Sequence, residues 1–257
     1  MKNAQRSQLF LWRGCSLVIG PGIDSRFHAH FATQLTWGLD APFQARLAPD
    51  LPWITTRAAI FGSNQPHQIH CEASLLAHLF IELPQRSPAA HSVLVADYDS
   101  AAGFAAVRDG LVPARHGGLD LQQAGQLAQD WLACTTLHDR ARPGFDHRIS
   151  QALASIAAHP VQQPLSGAEL AASVHLSASR FTHLFRQQTG LSLSRYLLWS
   201  RLMAAVDAVA RGDNMTHAAH GAGFADLAHM SRTFRNTFGV VPSELQKMAI
   251  AFKREEK

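Results

Sequence analysis

Cysteine is scarce in this chain of 257 residues: Cys15, Cys71 and Cys134 are an odd number, widely spaced, with no CxxC pair. Neither a disulfide framework nor a zinc knuckle is suggested, and a reducing cytoplasm is the simple reading. No charged-then-apolar stretch opens the chain and no apolar run is long enough to cross a bilayer, so a soluble cytoplasmic protein without a membrane partner is expected. Also missing are a P-loop, a nucleophile elbow, a paired-carboxylate signature and a dinucleotide glycine motif. No enzyme activity is expected from these absences.

The charge that is present is unevenly placed. Up to Arg142 eleven basic residues face eleven acids, whereas beyond it twelve bases face eight acids, so the whole formal excess of +4 is C-terminal. That half is the expected partner of a polyanion. The length favours two domains. Short apolar stretches such as 16–19, 34–37, 58–61 and 75–83, broken by Pro-Gly, Asp-Ala-Pro and Ser-Asn-Gln-Pro turn signals, predict a β-sandwich or small barrel over about 1–98. From about Ser100 the pattern turns helical. Leu121, Ala124, Leu127, Ala128, Trp131 and Leu132 line one face of a helix within 119–137, which either packs on its own barrel or forms a dimer seam. A polar stretch with Pro and Gly, 139–144, is the expected linker. The fold class is therefore α+β and multidomain: an N-terminal β-barrel with helices over 1–140, and an all-α domain over 146–250.

The second domain repeats itself. Phe185-Arg186, three residues and Gly190 return as Phe234-Arg235, three residues and Gly239, at a spacing of 49. Each copy follows a short helix and a tight turn, which is a helix-turn-helix plan. A lead-in helix is predicted over 146–158, with Ile149, Leu153 and Ile156 inward. Ser166-Gly-Ala-Glu169 is a capping box opening a helix to about Val174. Ser177 caps the next helix through Gln188, and Gly190 supplies its left-handed stop. At 100° per residue Phe181, Leu184 and Phe185 share one side of that helix, leaving Ser179, Thr182, His183 and Arg186 on the other. Adding 49 gives Ala228, Ser231, Arg232 and Arg235, outward on a second helix capped by Asp226, with Met230, Thr233 and Phe234 inward. A helical run over 193–210 joins the units and rises about 27 Å, near the spacing needed to set two helices in successive major grooves. Arg232 suits bidentate contact to guanine, Thr182 and Ser231 suit base edges, and the Ala228 methyl suits a thymine methyl. Arg186 and Arg235 suit phosphates.

At this point the residues resemble a known family. Ser166 to Gly190, then Gly223-Phe224-Ala-Asp226, Ser231-Arg232-Thr-Phe234-Arg235, Phe238-Gly239 and Pro242-Ser243, are similar to the DNA-binding domain of the AraC/XylS transcriptional regulators. The resemblance covers about 146–248 and implies a seven-helix domain with two helix-turn-helix units behind a small-molecule-sensing N-terminal domain. It assigns readout to Ser179, Thr182, His183, Ala228, Ser231 and Arg232. Two departures stand out: Ala225 where a Ser often opens the second recognition helix, and Leu245-Gln246 in place of an aromatic-Arg ending.

The N-terminal half resembles the cupin-like sensing domains of the same regulators. Gly22, five residues and His28-Ala-His30 match the start of a first cupin motif, with Gln34 and Ala41 at its Glu and Gly positions. Gly62-Ser-Asn64-Gln-Pro-His67 resembles the second, with Gly62 and Asn64 at its Pro and Gly positions. In a cupin barrel His28, His30, Gln34 and His67 meet at one mouth of the pocket, which is the expected effector site. Three imidazoles are ligands enough for a first-row metal. Gln34 replaces the usual carboxylate, however, and a metal-free pocket with no cofactor is the reading adopted, a site on His28, His30 and His67 being the alternative. Trp37, Phe43, Trp53 and Phe61 are expected as core or pocket wall, and His70, His78, His91 and His116 show no ligand spacing.

The reading is a sequence-specific DNA-binding transcriptional regulator, expected as an activator, modulated by a small-molecule effector in the barrel. Its partners are double-stranded DNA and that effector, with RNA polymerase and a homodimer through the N-terminal domain left open. The alternative is a metal-dependent cupin enzyme or metal sensor with an appended DNA-binding module.

Overall fold

The computed structural model describes residues 7–12, 14–72, 74–82, 93–95, 105–114, 118–135, 145–161, 163 and 165–252. The expected linker at 139–144, His91, His116 and Leu137 lie outside them. The chain packs as two units, one made of Met1–Glu82, His91–Asp139 and Arg235–Lys257, the other of Leu83–Ala90 and Arg140–Phe234.

Among the described residues the first unit carries ten strands: β1 (Gln8–Trp12), β2 (Cys15–Pro21), β3 (Thr33–Gly38), β4 (Phe43–Arg46), β5 (Ile54–Thr56), β6 (Ala58–Phe61), β7 (Gln68–His70), β8 (Leu75–Ile81), β9 (Val93–Val95) and β10 (Ala249–Phe252). Seven form one sheet in the order β10-β1-β2-β8-β3-β6-β9, and three form a second in the order β5-β4-β7. Phe43, Ala45 and Ile69 of the small sheet pack with Ala59, Phe61 and Leu76 of the large one, so alternate residues of short strands make the core between them. Strand β3 is buried at all six positions, which suits its place in the middle of the sheet between β8 and β6. The last strand is the exception to an antiparallel plan: β10 pairs parallel with β1, Gln8 opposite Ala249 and Leu11 opposite Phe252. That pairing covers the edge β1 would otherwise expose and brings the segment from Arg235 into this unit.

Among the described residues two helices follow β9 in the same unit, α1 (Ala105–Ala114) and α2 (Leu121–Ala133). Asp120 Oδ1 accepts from the Gln123 backbone N–H at 2.8 Å, and Gln123 Oε1 accepts from that of Asp120 at 3.0 Å, a reciprocal cap that starts α2. Its stripe of Ala124, Leu127, Ala128 and Trp131 is buried. Trp131 meets Trp37 of β3 edge to face with centroids 6.2 Å apart, so the stripe packs on its own domain.

The second unit is helical: α3 (His147–Ala158), α4 (Gly167–Ser173), α5 (Ala178–Thr189), α6 (Leu193–Ala210), α7 (Met215–Gly221) and α8 (Leu227–Phe238), the last crossing into the C-terminal segment. Every helix start here has a local polar cause. Asp146, Ser166, Ser177, Ser192 and Asn214 each accept from a backbone N–H of the first turn of the helix that follows, and Asp226 Oδ1 accepts from His229 N at 2.5 Å. Ile149, Ala152 and Ile156 of α3, Leu170, Ala171 and Val174 at α4, and Phe181 and Phe185 of α5 form one core. Among the described residues no helix is long and apolar enough to cross a membrane.

Candidate nucleic-acid interface and ligand pocket

Helix α5 buries Phe181 and Phe185 at 0% exposure, which fixes its rotation and turns Ser179, Thr182, His183 and Arg186 to solvent. On α8 Met230 and Phe234 are buried, while Ala228, Arg232 and Arg235 are exposed and Ser231 is half-buried. The two quartets therefore occupy one face of each helix. Arg180, Gln187, His229 and Asn236 are exposed beside them and were not singled out by sequence; the first two map onto the last two at the same spacing of 49. Thr182 Oγ1 donates to its own helix at Ala178 O (2.8 Å), leaving its lone pairs and methyl for a partner.

The turns before the two helices repeat at 48. Leu176 N donates to Ala171 O and Phe224 N to Ala219 O, while His175 N donates to Ala172 O and Gly223 N to His220 O. The recognition helices repeat at 49, so the second turn holds one more residue. Ala225 is that residue, and the cap passes to Asp226 just after it. At the left-handed position the first turn has His175 (φ 56°) and the second Gly223 (φ 77°). A Cβ on Gly223 would lie 2.8 Å from Val161 O, so glycine is needed there on both counts.

In the first unit the expected pocket residues do meet. His28 and His67 form an antiparallel bridge, each backbone N–H donating to the other's carbonyl at 3.0 and 2.9 Å. Asn64 takes the left-handed conformation (φ 59°) at the position where the motif carries Gly, and donates its N–H to His30 O at 2.7 Å. Gln34, on β3, puts Oε1 2.9 Å from His30 Nε2 and 3.2 Å from His67 Nε2. His28, His30, Gln34 and His67 are all buried. One ring nitrogen from each histidine lies within 4.8 Å of the others. Phe61 stacks on the His67 ring at 4.1 Å and Phe80 meets His30 edge-on at 5.4 Å, so the cluster has apolar walls. Gly239, in the same unit, passes close by. A Cβ there would come 2.6 Å from His28 Nδ1, and Arg26 N donates to Gly239 O at 3.1 Å.

One residue that showed no ligand spacing joins this group. His78 Nδ1 lies 3.0 Å from Thr36 Oγ1 and 3.2 Å from Gln34 Nε2. The β3–β8 register sets Thr36 directly opposite His78, a neighbourhood that exists only once the strands pair. Trp53 departs from its expected place: it is exposed, with the Arg46 guanidinium over its ring at 4.5 Å. His70 is tied to the Asp24 carboxylate at 2.8 Å, away from the cluster.

Burial drives the four histidines toward the neutral form. It pushes His28 down to about 4, with further help from nearby His30, and pushes His78 down to about 4 as well. His30 is lowered by burial against the support of Gln34 and Ala32, and His67 falls well below the ordinary value through burial and then its His28 and His30 neighbours. The cluster holds neutral imidazoles at physiological pH.

Known proteins match both halves to different extents. The Helix-turn-helix domain family matches residues 170–248. The chain is 34% identical over 98 residues to the transcriptional activator RhrA of Rhizobium meliloti, covering 35% of this chain and 31% of that one. It is 32% identical over 112 residues to the arabinose operon regulatory protein of Escherichia coli (43% and 38% covered), and 35% identical over 103 residues to the activator RhaS of Klebsiella pneumoniae (40% and 37% covered). The chain thus spans well under half the length of these curated relatives. Over nearly its full length it shares a fold with ToxT of Vibrio cholerae: an apo form gives a TM-score of 0.63 at 12% identity, covering 92% of this chain and 98% of that one. ToxT with bound unsaturated fatty acid gives 0.58 at 12% identity, covering 95% and 96%. A sheet-rich N-terminal domain with a helix-turn-helix domain is the architecture shared with ToxT, and residues 170–248 match the Helix-turn-helix domain family.

Proposed function

We propose that the protein is a sequence-specific DNA-binding regulator of transcription whose N-terminal domain takes a small effector at the His28, His30, Gln34 and His67 cluster. The observation that carries this reading is the pair of capped recognition helices, each held by buried aromatic or sulfur side chains and each turning the same four register positions outward. In α5 these are Ser179, Thr182, His183 and Arg186, and in α8 Ala228, Ser231, Arg232 and Arg235. Two helices presenting groups of this kind fit two major grooves, with Arg232 reading guanine and Arg186 and Arg235 holding phosphates. The relatives named transcriptional activators support a role in activating transcription, and the reading adds a cytoplasmic location, RNA polymerase and a second copy of the chain as further partners.

The effector role rests on a buried cluster of polar side chains in the sheet-rich unit, which of the proposed DNA contacts holds Arg235 alone. An effector acts only through different affinities for two states of the protein. Selection of bound sequences from random DNA, followed by competition against scrambled duplex, tests the DNA reading. The expected outcome is one motif bound at least about a thousandfold more tightly than scrambled DNA. Equal affinity for all duplexes would reduce the protein to a general polyanion binder.

A further inference from the structure

Strand β1 is an inner strand only because β10 lies on its outer side. Leu9 and Phe10 are buried, and toward the sheet β1 pairs with β2 from Gln8 opposite Ile19 to Trp12 opposite Cys15. Among the described residues β10 alone pairs with the other side. That seam is lightly held. It is parallel, which is slightly less stable per residue than an antiparallel ladder, and it runs only from Gln8 opposite Ala249 to Leu11 opposite Phe252. Alanine, a residue depleted in strands, fills two of the positions in Ala-Ile-Ala-Phe. Ala249 is exposed and Ile250 and Ala251 are half-buried, so these side chains hide little apolar surface.

A tether with a fixed end joins β10 to the rest of the chain. Gly239 is buried, and its carbonyl accepts from Arg26 N at 3.1 Å. Residues 240–248 then lead to β10 through a 3-10 turn, Pro242–Lys247, flanked by extended Val241 (ψ 146°) and Met248 (ψ 148°). A 3-10 turn has poorer hydrogen-bond geometry than an α-helix, and drawn out these residues reach about 30 Å. With β10 lifted away, β1 presents a row of unpaired N–H and C=O groups beside buried Leu9 and Phe10, and such an edge takes up another strand. The register says which strand fits. Ala249 N donates to Ser7 O at 2.7 Å and Ile250 stands opposite Leu9, and a second copy of this chain brings those same residues.

We propose that the outer edge of β1 is a homodimer interface at which two copies exchange β10, each covering the other's β1. Exchange of an identical element keeps every ladder contact, and because it is reciprocal the pair closes with twofold symmetry. The tether gives a chain's own strand an effective concentration on the order of millimolar. The monomer therefore leads in dilute solution and the dimer grows with concentration. This places on the molecule the second copy already named as a partner and rests on that reading, whereas a dimer built through another surface defeats the placement alone.

The experiment is sedimentation velocity of the full-length chain, without DNA, over about a hundredfold range of concentration. A dimer fraction that rises with concentration is expected. In a mixture of isotope-labelled and unlabelled native chains, amine cross-links should join Lys247 of one copy to Lys2 of the other. Ala249→Pro removes the N–H that donates to Ser7 O and should weaken the dimer by at least about tenfold. Deleting 243–246 acts the other way: a tether too short for its own seam leaves exchange as the means of covering β1, and the dimer should tighten by about the same factor. A chain that is monomeric throughout, with and without the deletion, overturns the proposal. So does a dimer that Ala249→Pro leaves at the same dissociation constant, or one whose Lys2 to Lys247 cross-links all fall within single copies.

Discussion

Replacing Gly223 by alanine isolates what positions the second recognition helix. Gly223 has φ 77°, and an added Cβ would sit 2.8 Å from the carbonyl oxygen of Val161. The left-handed conformation costs a side-chain-bearing residue about 1–2 kcal/mol. Relieving the contact requires backbone to move by a few tenths of an ångström, and overpacking of that kind costs about 1–3 kcal/mol. Their sum puts Gly223→Ala at about 2–5 kcal/mol of destabilisation, a large part of a typical domain's stability. The first turn supplies the comparison within the same molecule, because His175 holds the equivalent position at φ 56° and is exposed. A side chain is tolerated where there is room, and His175→Gly should change stability by less than about 1 kcal/mol. Urea unfolding by circular dichroism would measure both, with hydrogen exchange over 215–238 locating the loss. Specific DNA affinity should fall with Gly223→Ala, because this turn sets the angle between α7 and α8. If Gly223→Ala and His175→Gly had equal small effects, the close approach of Val161 would not be what demands glycine.

The other expectations concern recognition, packing and pH. Arg232→Ala should cost about 1–3 kcal/mol at the cognate site and relax preference at one base pair, whereas Arg235→Ala should weaken cognate and random duplex alike and reduce the salt slope by about one; fluorescence anisotropy at several salt concentrations separates them. Phe185→Ala removes a fully buried ring from the core of the first helix-turn-helix and should cost about 3–5 kcal/mol, read by denaturant titration. His28 and His78 are held near 4 in the folded chain against an ordinary 6.5. The unfolded chain therefore binds protons that the folded one refuses, and stability, complete above pH 6.5, is lost as pH falls toward 4. At pH 5 the loss is about 2 kcal/mol for each histidine, and a melting temperature of the metal-free protein that stayed level from pH 8 to 5 would show these rings to be solvated.

How far the fold could be read in advance depended on how local its causes are. Helix α5 was legible almost to the residue because a capping Ser177, apolar residues at helical spacing and a left-handed Gly190 all lie within fourteen residues. The run over 193–210 was predicted with the bounds it has. The strands at 16–19 and 34–37 were each a residue or more short at one end or both, since hydrogen bonds to neighbours extend a strand beyond its apolar residues. What needed tertiary structure was missed. His78 enters the pocket only through the β3–β8 register, β10 joins β1 from the far end of the chain, and Trp131 shows its partner only when α2 lies on β3. The repeat of 49 was visible, but the shift to 48 in the turns was not, because backbone hydrogen bonds leave no residue signature. At the pocket, His28, His30, Gln34 and His67 were legible as a group. The ring tautomers depend on the backbone carbonyls of Arg26, Ala32 and Gln65, which lie 2.8, 2.8 and 2.9 Å from Nδ1 of His28, His30 and His67 and whose positions no side-chain pattern reports.

The most direct test of the account is a nuclease footprint of the full-length protein on its selected DNA sequence, repeated with Arg232→Ala. Two recognition helices on one chain predict protection of two successive major grooves on one face, about 10–10.5 base pairs apart, with the contacts of one groove lost selectively in the variant. Protection of a single groove, or a footprint that Arg232→Ala leaves unchanged, would contradict the reading of α5 and α8 as paired readers of DNA.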